Sequence, residues 1–224
     1  MSELDKWAED LTKEVYNQWN SKYSFWKPGF KIFYSPIIKN PTLMILSLNP
    51  GGTELDFKQE SKTKFGDNDF SLPKRNEYLT TDYAMARKMR SLFRDHLGLL
   101  EKSVTLPILF FRSENYQYWK KNIQKDIRIE MEEFSYFKIQ TILKKLKPKF
   151  CLVIGFQTYD QIKNNILKIN NESNTPDDSH RLYITAKSGD LSLFTIPHLT
   201  GYHLSMQKMD KIRKIFFDEF LNQA

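Results

Sequence analysis

The hydrophobic positions of this chain fall into two kinds of run. Some are short, continuous and uncharged: Leu43-Met44-Ile45-Leu46-Ser47-Leu48, Leu106-Pro107-Ile108-Leu109-Phe110-Phe111 and Phe150-Cys151-Leu152-Val153-Ile154. Runs of that length with no polar face predict strands buried on both sides, as in a parallel sheet. Two further runs, Arg181 to Ala186 and Leu191 to Ile196, flank Lys187-Ser188-Gly189-Asp190 and predict a hairpin. Other apolar residues recur at spacings of three and four. Leu4, Trp7, Ala8, Leu11, Val15 and Trp19 form one such set, Ile139, Ile142, Leu143 and Leu146 a second, and Met209, Ile212, Phe216 and Phe220 a third. These predict helices with one inward face, the first capped by Ser2 and the last by Ser205. Tyr83 to Leu97 predicts another helix, and Phe30 to Ile38 an extended segment. Strands alternating with helices predict an α/β fold: three α/β/α layers around a central, mostly parallel four-stranded sheet.

Gly52 to Thr81 predicts a long loop, Trp119 to Lys125 a basic surface segment, and Asn170 to Ser179 a turn-rich connection. The long loop carries Lys58, Lys62, Lys64, Lys74 and Arg75, interleaved with Phe57, Phe65, Phe70 and Tyr78. A loop of that length in a compact domain is usually functional or disordered. Aromatic rings among cations suit base stacking and phosphate contact. The plainer alternative is that the rings tuck into the core.

The sharpest boundary lies at Asn49-Pro50-Gly51-Gly52, where the first apolar run stops. Pro50 fixes its own φ and pushes Asn49 towards extended backbone. Gly51 and Gly52 allow backbone angles that other residues resist and let a ligand approach the main chain. Asn49 is thereby held at the carboxyl end of a central strand, the edge where open α/β sheets bind ligands.

Composition narrows the classes. A chain of 224 residues, 40% hydrophobic and 14% aromatic, fits one domain over 1–224, with 1–40 an added N-terminal helical segment. The net charge of +7 and the isoelectric point near 9.2 favour a polyanionic partner. Cys151 is the sole cysteine, so it forms no internal disulfide and cannot alone hold an iron–sulfur or cysteine-rich zinc site. His96, His180, His198 and His203 show no HExxH spacing, so no metal is implied. No uncharged apolar stretch is long enough to span a bilayer, and Met1-Ser2-Glu3-Leu4-Asp5 lacks a signal-peptide pattern, so a cytoplasmic location is expected.

Two strand-end motifs, Leu48-Asn49-Pro50-Gly51 and Pro197-His198-Leu199-Thr200-Gly201, stand in order in an α/β chain. Together they resemble the uracil-DNA glycosylase superfamily, most nearly its Asn-Pro-Gly mismatch-specific and single-strand-selective branches. Lys147-Pro148-Lys149 and the strand into Gly155 extend the resemblance, which runs from about Pro41 to the C-terminus. It implies hydrolysis of the N-glycosidic bond of a flipped-out uracil, mismatched or modified base in DNA. By that resemblance Asn49 holds the attacking water and His198 donates to the base carbonyl. Gly51 and an aromatic ring, Phe70 or Phe65, would contact the base. Gly52, Thr200, Gly201, Tyr202, His203, Leu204 and Ser205 would meet the DNA, with Tyr202 or Leu204 the wedge that fills the vacated stack. The expected protein is a cofactor-free monomer with DNA as partner and no membrane or metal cluster.

Three departures matter. The late motif has Leu199 where the family has a proline. No asparagine closes the second apolar run to read the base edge, and Asn115 follows only after Arg112-Ser113-Glu114. The cysteines of the iron–sulfur branches are missing. The cognate base therefore stays open, bulky bases of phage DNA and a role in defence included. A non-catalytic DNA-binding protein of the same fold is the alternative. A Rossmann-like nucleotide or small-molecule enzyme is disfavoured, because neither G-x-G-x-x-G nor a P-loop follows the first strand.

Overall fold

Leu43–Ser47 form the first strand, β1, and every one of its side chains is buried. The computed structural model describes residues 2–65, 68–177, 180–200 and 204–222. Helix α1 (Glu3–Gln18) precedes β1 and opens on Ser2, whose side chain accepts from the Asp5 amide while Asp5 reaches back to it. After β1 come α2 (Glu54–Thr63), α3 (Glu77–Thr80), α4 (Ala84–Leu92), α5 (Leu97–Glu101) and β2 (Val104–Pro107). Helices α6 (Tyr116–Asn122) and α7 (Lys125–Leu146) lead to β3 (Phe150–Ile154) and α8 (Phe156–Asn165). Strands β4 (Asn171–Asp177), β5 (His180–Ser188) and β6 (Leu191–Ile196) follow, and α9 (Met206–Lys214) passes into a π-helical turn, Ile215–Phe220.

The strands lie in the order β2-β1-β3-β6-β5-β4. The first four are mutually parallel; β5 runs antiparallel to β6, and β4 to β5. The fold is thus mixed α/β with a mostly parallel sheet, but the sheet has six strands, not four. The two strands beyond four are antiparallel: β5, the first arm of the expected hairpin, and the edge strand β4, which occupies Asn171–Asp177, where the sequence predicts a turn-rich connection. Its polar residues give no apolar alternation, and ladder bonds to β5 define it instead. The β5–β6 hairpin turns where expected, with Gly189 at φ +57°.

Alternate residues of the parallel strands enter two separate clusters. Met44, Leu46, Cys151 and Val153 pack with Ala8, Leu11 and Val15 of α1 and Ile139 and Ile142 of α7. Leu43, Ile45, Phe150 and Leu152 pack with Met89 and Leu92 of α4 and Ile212 of α9. Truncating a fully buried strand residue such as Ile45 to Ala would cost about 2–5 kcal/mol. The chain runs from β1 to β2 on one side and later places β3 on the other. The two directions part at the carboxyl ends of β1 and β3, a topological switch point.

Several local expectations change. The stretch from Gly52 to Thr81 is not one loop. Thr53 and Asp56 form a reciprocal cap that starts α2, the Thr53 amide donating to Asp56 Oδ2 at 2.6 Å. The helix expected over Tyr83–Leu97 ends at Leu92, and α5 begins at Leu97. Trp119 is buried inside α6 rather than on the surface, with its Nε1 donating to Glu132 at 2.9 Å. The second apolar run forms a ladder strand only over Val104–Pro107. Beyond it, the amides of Ile108 and Leu109 donate to the carbonyls of Ser47 and Leu48, both at 2.8 Å, and carry the pairing past the end of β1.

Candidate active site

That continued pairing builds the site. Past Leu109 the chain stays beside the Asn49-Pro50 turn, where the Ser113 amide donates to the Pro50 carbonyl at 3.0 Å. The Asn49 side chain completes the clasp. Its Nδ2 donates to the Ser113 carbonyl at 2.8 Å and to the Pro50 carbonyl at 3.1 Å. Both neighbours are carbonyl oxygens, so only the amide nitrogen can face them. The amide is therefore fixed one way round, and its Oδ1 accepts no hydrogen bond from the described residues.

Arg112 holds the turn from behind. Its buried guanidinium donates to the carbonyls of Phe30 and Gly51, both at 3.3 Å, and pairs with Glu60 of α2. Gly52 sits at φ +116°, and a Cβ there would lie 2.8 Å from Arg112 Nη1, so this position needs glycine.

The carboxyl ends of β1, β3 and β6, and the segment after β2, surround a cleft of about 740 Å³. Asn49 and Gly51 line it from β1, and Ser113, Glu114, Asn115 and Tyr116 from the segment that follows β2. Gly155 to Thr158 contribute from β3, and Pro197, His198 and Thr200 from β6. Asn49 and His198, distant in sequence, thus face one cleft at one edge of the sheet.

His198 packs beside Gly155. A Cβ on Gly155, whose φ is +96°, would lie 3.5 Å from His198 Cδ2 and 3.3 Å from Thr158 Oγ1. The Thr200 hydroxyl lies 3.3 Å from His198 Nδ1. Burial pushes the His198 pKa below the ordinary imidazole value, so the neutral ring is favoured.

Of the residues expected to hold a base, Phe65 and Phe70 do not line the cleft. Phe65 stacks on Phe30 at 5.3 Å and on Phe70 at 5.5 Å, and both rings are buried in the α1-side cluster. The aromatic wall consists instead of Tyr34, Tyr78 and Tyr83, with Phe156 and Tyr116. Tyr34 and Tyr78 stack with centroids 6.0 Å apart at 21°, and Tyr83 meets Tyr78 edge-on at 6.2 Å. Burial raises the Tyr34 and Tyr78 phenol pKa values far above the usual range, which keeps both rings neutral.

The other expected contacts divide. Thr200 is exposed at the cleft, whereas Gly52 lies behind the lining, against Arg112. Leu204 packs half-buried against the cluster that holds Met209, as a hydrophobic staple would, and Ser205 caps α9 through the Lys208 amide at 3.3 Å. Gly201, Tyr202 and His203 lie outside the described residues. No group of His, Cys, Asp and Glu among the described residues is placed to hold a metal. Cys151 is buried within β3, its thiol pKa raised by burial. No helix among the described residues is long and apolar enough to cross a membrane.

Sequence reasoning named Tyr78 only among the aromatic residues of the long stretch and missed Tyr34, Tyr83, Ser113 and Glu114. Only Tyr78 carried a signal, as an aromatic residue after the Asn-Pro-Gly turn. Tyr34 and Ser113 reach the cleft through long-range pairing, the Tyr34 amide donating to the Thr105 carbonyl and the Ser113 amide to the Pro50 carbonyl. Compared with known proteins, the chain matches no family model and no curated sequence.

Proposed function

We propose that this chain is a monofunctional DNA glycosylase, related to the uracil-DNA glycosylases, that hydrolyses the N-glycosidic bond of a flipped-out uracil, mismatched or modified base. The observation that carries the reading is the meeting of Asn49 and His198 on one cleft at the carboxyl edge of the parallel strands. Helical residues in the clusters on both sheet faces support the three-layer arrangement that the resemblance implies.

Breaking a base–sugar bond creates an oxocarbenium-like sugar and an anionic base. The fixed amide of Asn49 leaves its Oδ1 to accept from, and so orient, a water. In the tautomer in which Thr200 donates to Nδ1, the neutral His198 ring holds its proton on Nε2, the arrangement that would donate to a base carbonyl where charge develops. The tyrosine wall offers neutral faces to an extruded base. A cleft of about 740 Å³ has the size of a whole small-molecule site and leaves room for a substituted base.

The reading is tested with single- and double-stranded oligonucleotides carrying uracil, hypoxanthine, mismatched thymine or modified cytosines. Alkali reveals abasic sites after incubation. Strand cleavage at one class of base is expected. DNA binding with every base left intact would favour the non-catalytic alternative.

A further inference from the structure

Glu114 is the one charged side chain among the described residues that line the cleft. It is exposed, and its carboxylate makes no ion pair or hydrogen bond among the described residues. The backbone on either side of it is pinned. Before it, Ser113 bonds Pro50 through its amide and Asn49 through its carbonyl. After it, the Asn115 side chain accepts from the Tyr118 amide at 2.8 Å and caps α6. Glu114 therefore projects from a fixed position, one residue from the carbonyl that aims Asn49. It is the lone carboxylate in an otherwise uncharged wall.

Resting on the glycosylase reading, we propose that Glu114 is the general base of the reaction, taking the proton of the water that Asn49 orients. An amide cannot accept that proton; a carboxylate can, and its charge also favours the cationic sugar. In the step, the water oxygen bonds to C1′ as the C1′–N bond breaks. The bonding pair leaves on the base nitrogen, and the water proton passes to the Glu114 carboxylate and then to solvent. The base anion takes up a proton from solvent.

The test uses the full chain and the base that the wild type releases, under single-turnover conditions across a pH series. Glu114→Gln is expected to slow release by about 10²–10⁴-fold, with DNA binding unchanged. Added formate is expected to restore part of the rate to Glu114→Ala, which a structural role would not permit. An active wild type with an equally active Glu114→Gln of the same pH profile overturns this inference alone. Loss of rate that tracks loss of DNA binding, or that formate does not relieve, also overturns it. A wild type that releases no base overturns the glycosylase reading and this inference together.

Discussion

Asn49 Nδ2 donates to the main-chain carbonyl of Ser113 at 2.8 Å, tying the turn after β1 to the segment after β2. The bond has two consequences. It fixes which end of the amide faces the cleft, and it makes the side chain part of the local fold. Asn49→Asp tests both. A carboxylate cannot donate, so the Ser113 and Pro50 carbonyls would face an acceptor. We expect a loss of about 1–3 kcal/mol in denaturant unfolding, together with slower base release, although aspartate is the stronger base. Unchanged stability with faster release would contradict the clasp.

Gly155 lies beside His198 at a backbone angle that favours glycine. Gly155→Ala would place a methyl group 3.5 Å from His198 Cδ2 at a backbone φ of +96°. We expect about 1–3 kcal/mol of destabilisation from that backbone angle, with the Thr158 hydroxyl, 3.3 Å from the new methyl, pushed aside at the cleft. Thermal unfolding and the rate of base release should fall together. A variant equal to wild type in both would mean that the cleft does not depend on this position.

Burial lowers the His198 pKa from the ordinary 6.5, so the unfolded chain takes up the proton first as pH falls. The corresponding stability is complete above 6.5 and is lost as pH drops through the lower folded-state value. Asp56 and Glu130, whose pKa values are also lowered, act with the same sign but only from about their ordinary 3.8 and 4.5 downwards. Melting temperature followed between those ranges should therefore decline in the wild type and decline less in His198→Gln. Parallel curves would remove His198 from the pH dependence.

The two sets of aromatic residues should separate cleanly. Phe65→Ala opens the α1-side cluster and should cost about 3–5 kcal/mol without acting directly on base binding. Tyr83 is 40% exposed and meets Tyr78 edge-on, so Tyr83→Ala should cost about 1 kcal/mol while weakening the hold on an extruded base. Equal effects of the two substitutions on binding would argue against the tyrosine wall.

The contrast between Phe65 and Tyr83 shows what the sequence makes legible. The parallel strands are readable because residues such as Ile45 and Leu152 need apolar surroundings on both faces, and the order of residues records that need. Asn49 and His198 are readable because each ends such a run beside turn residues. The aromatic wall is not readable. Whether Phe65 or Tyr83 faces the cleft depends on how α2 and α4 pack, and a ring among polar neighbours looks the same in either case. Helix α2 itself was open to reading, since Thr53 and Asp56 have the spacing of a reciprocal cap. Glu114 was hidden for another reason: its place follows from hydrogen bonds between Ser113 and a turn far earlier in the chain.

The central claim is that Asn49 and His198 act across one cleft on a base–sugar bond. The most direct measurement compares single-turnover base release by the wild type and Asn49→Ala, with DNA affinity measured in parallel on the same oligonucleotides. We expect release by the wild type, a loss of at least about 10²-fold in Asn49→Ala, and nearly equal DNA affinity. Equal release by the two proteins, or firm DNA binding by a wild type that frees no base, would contradict it.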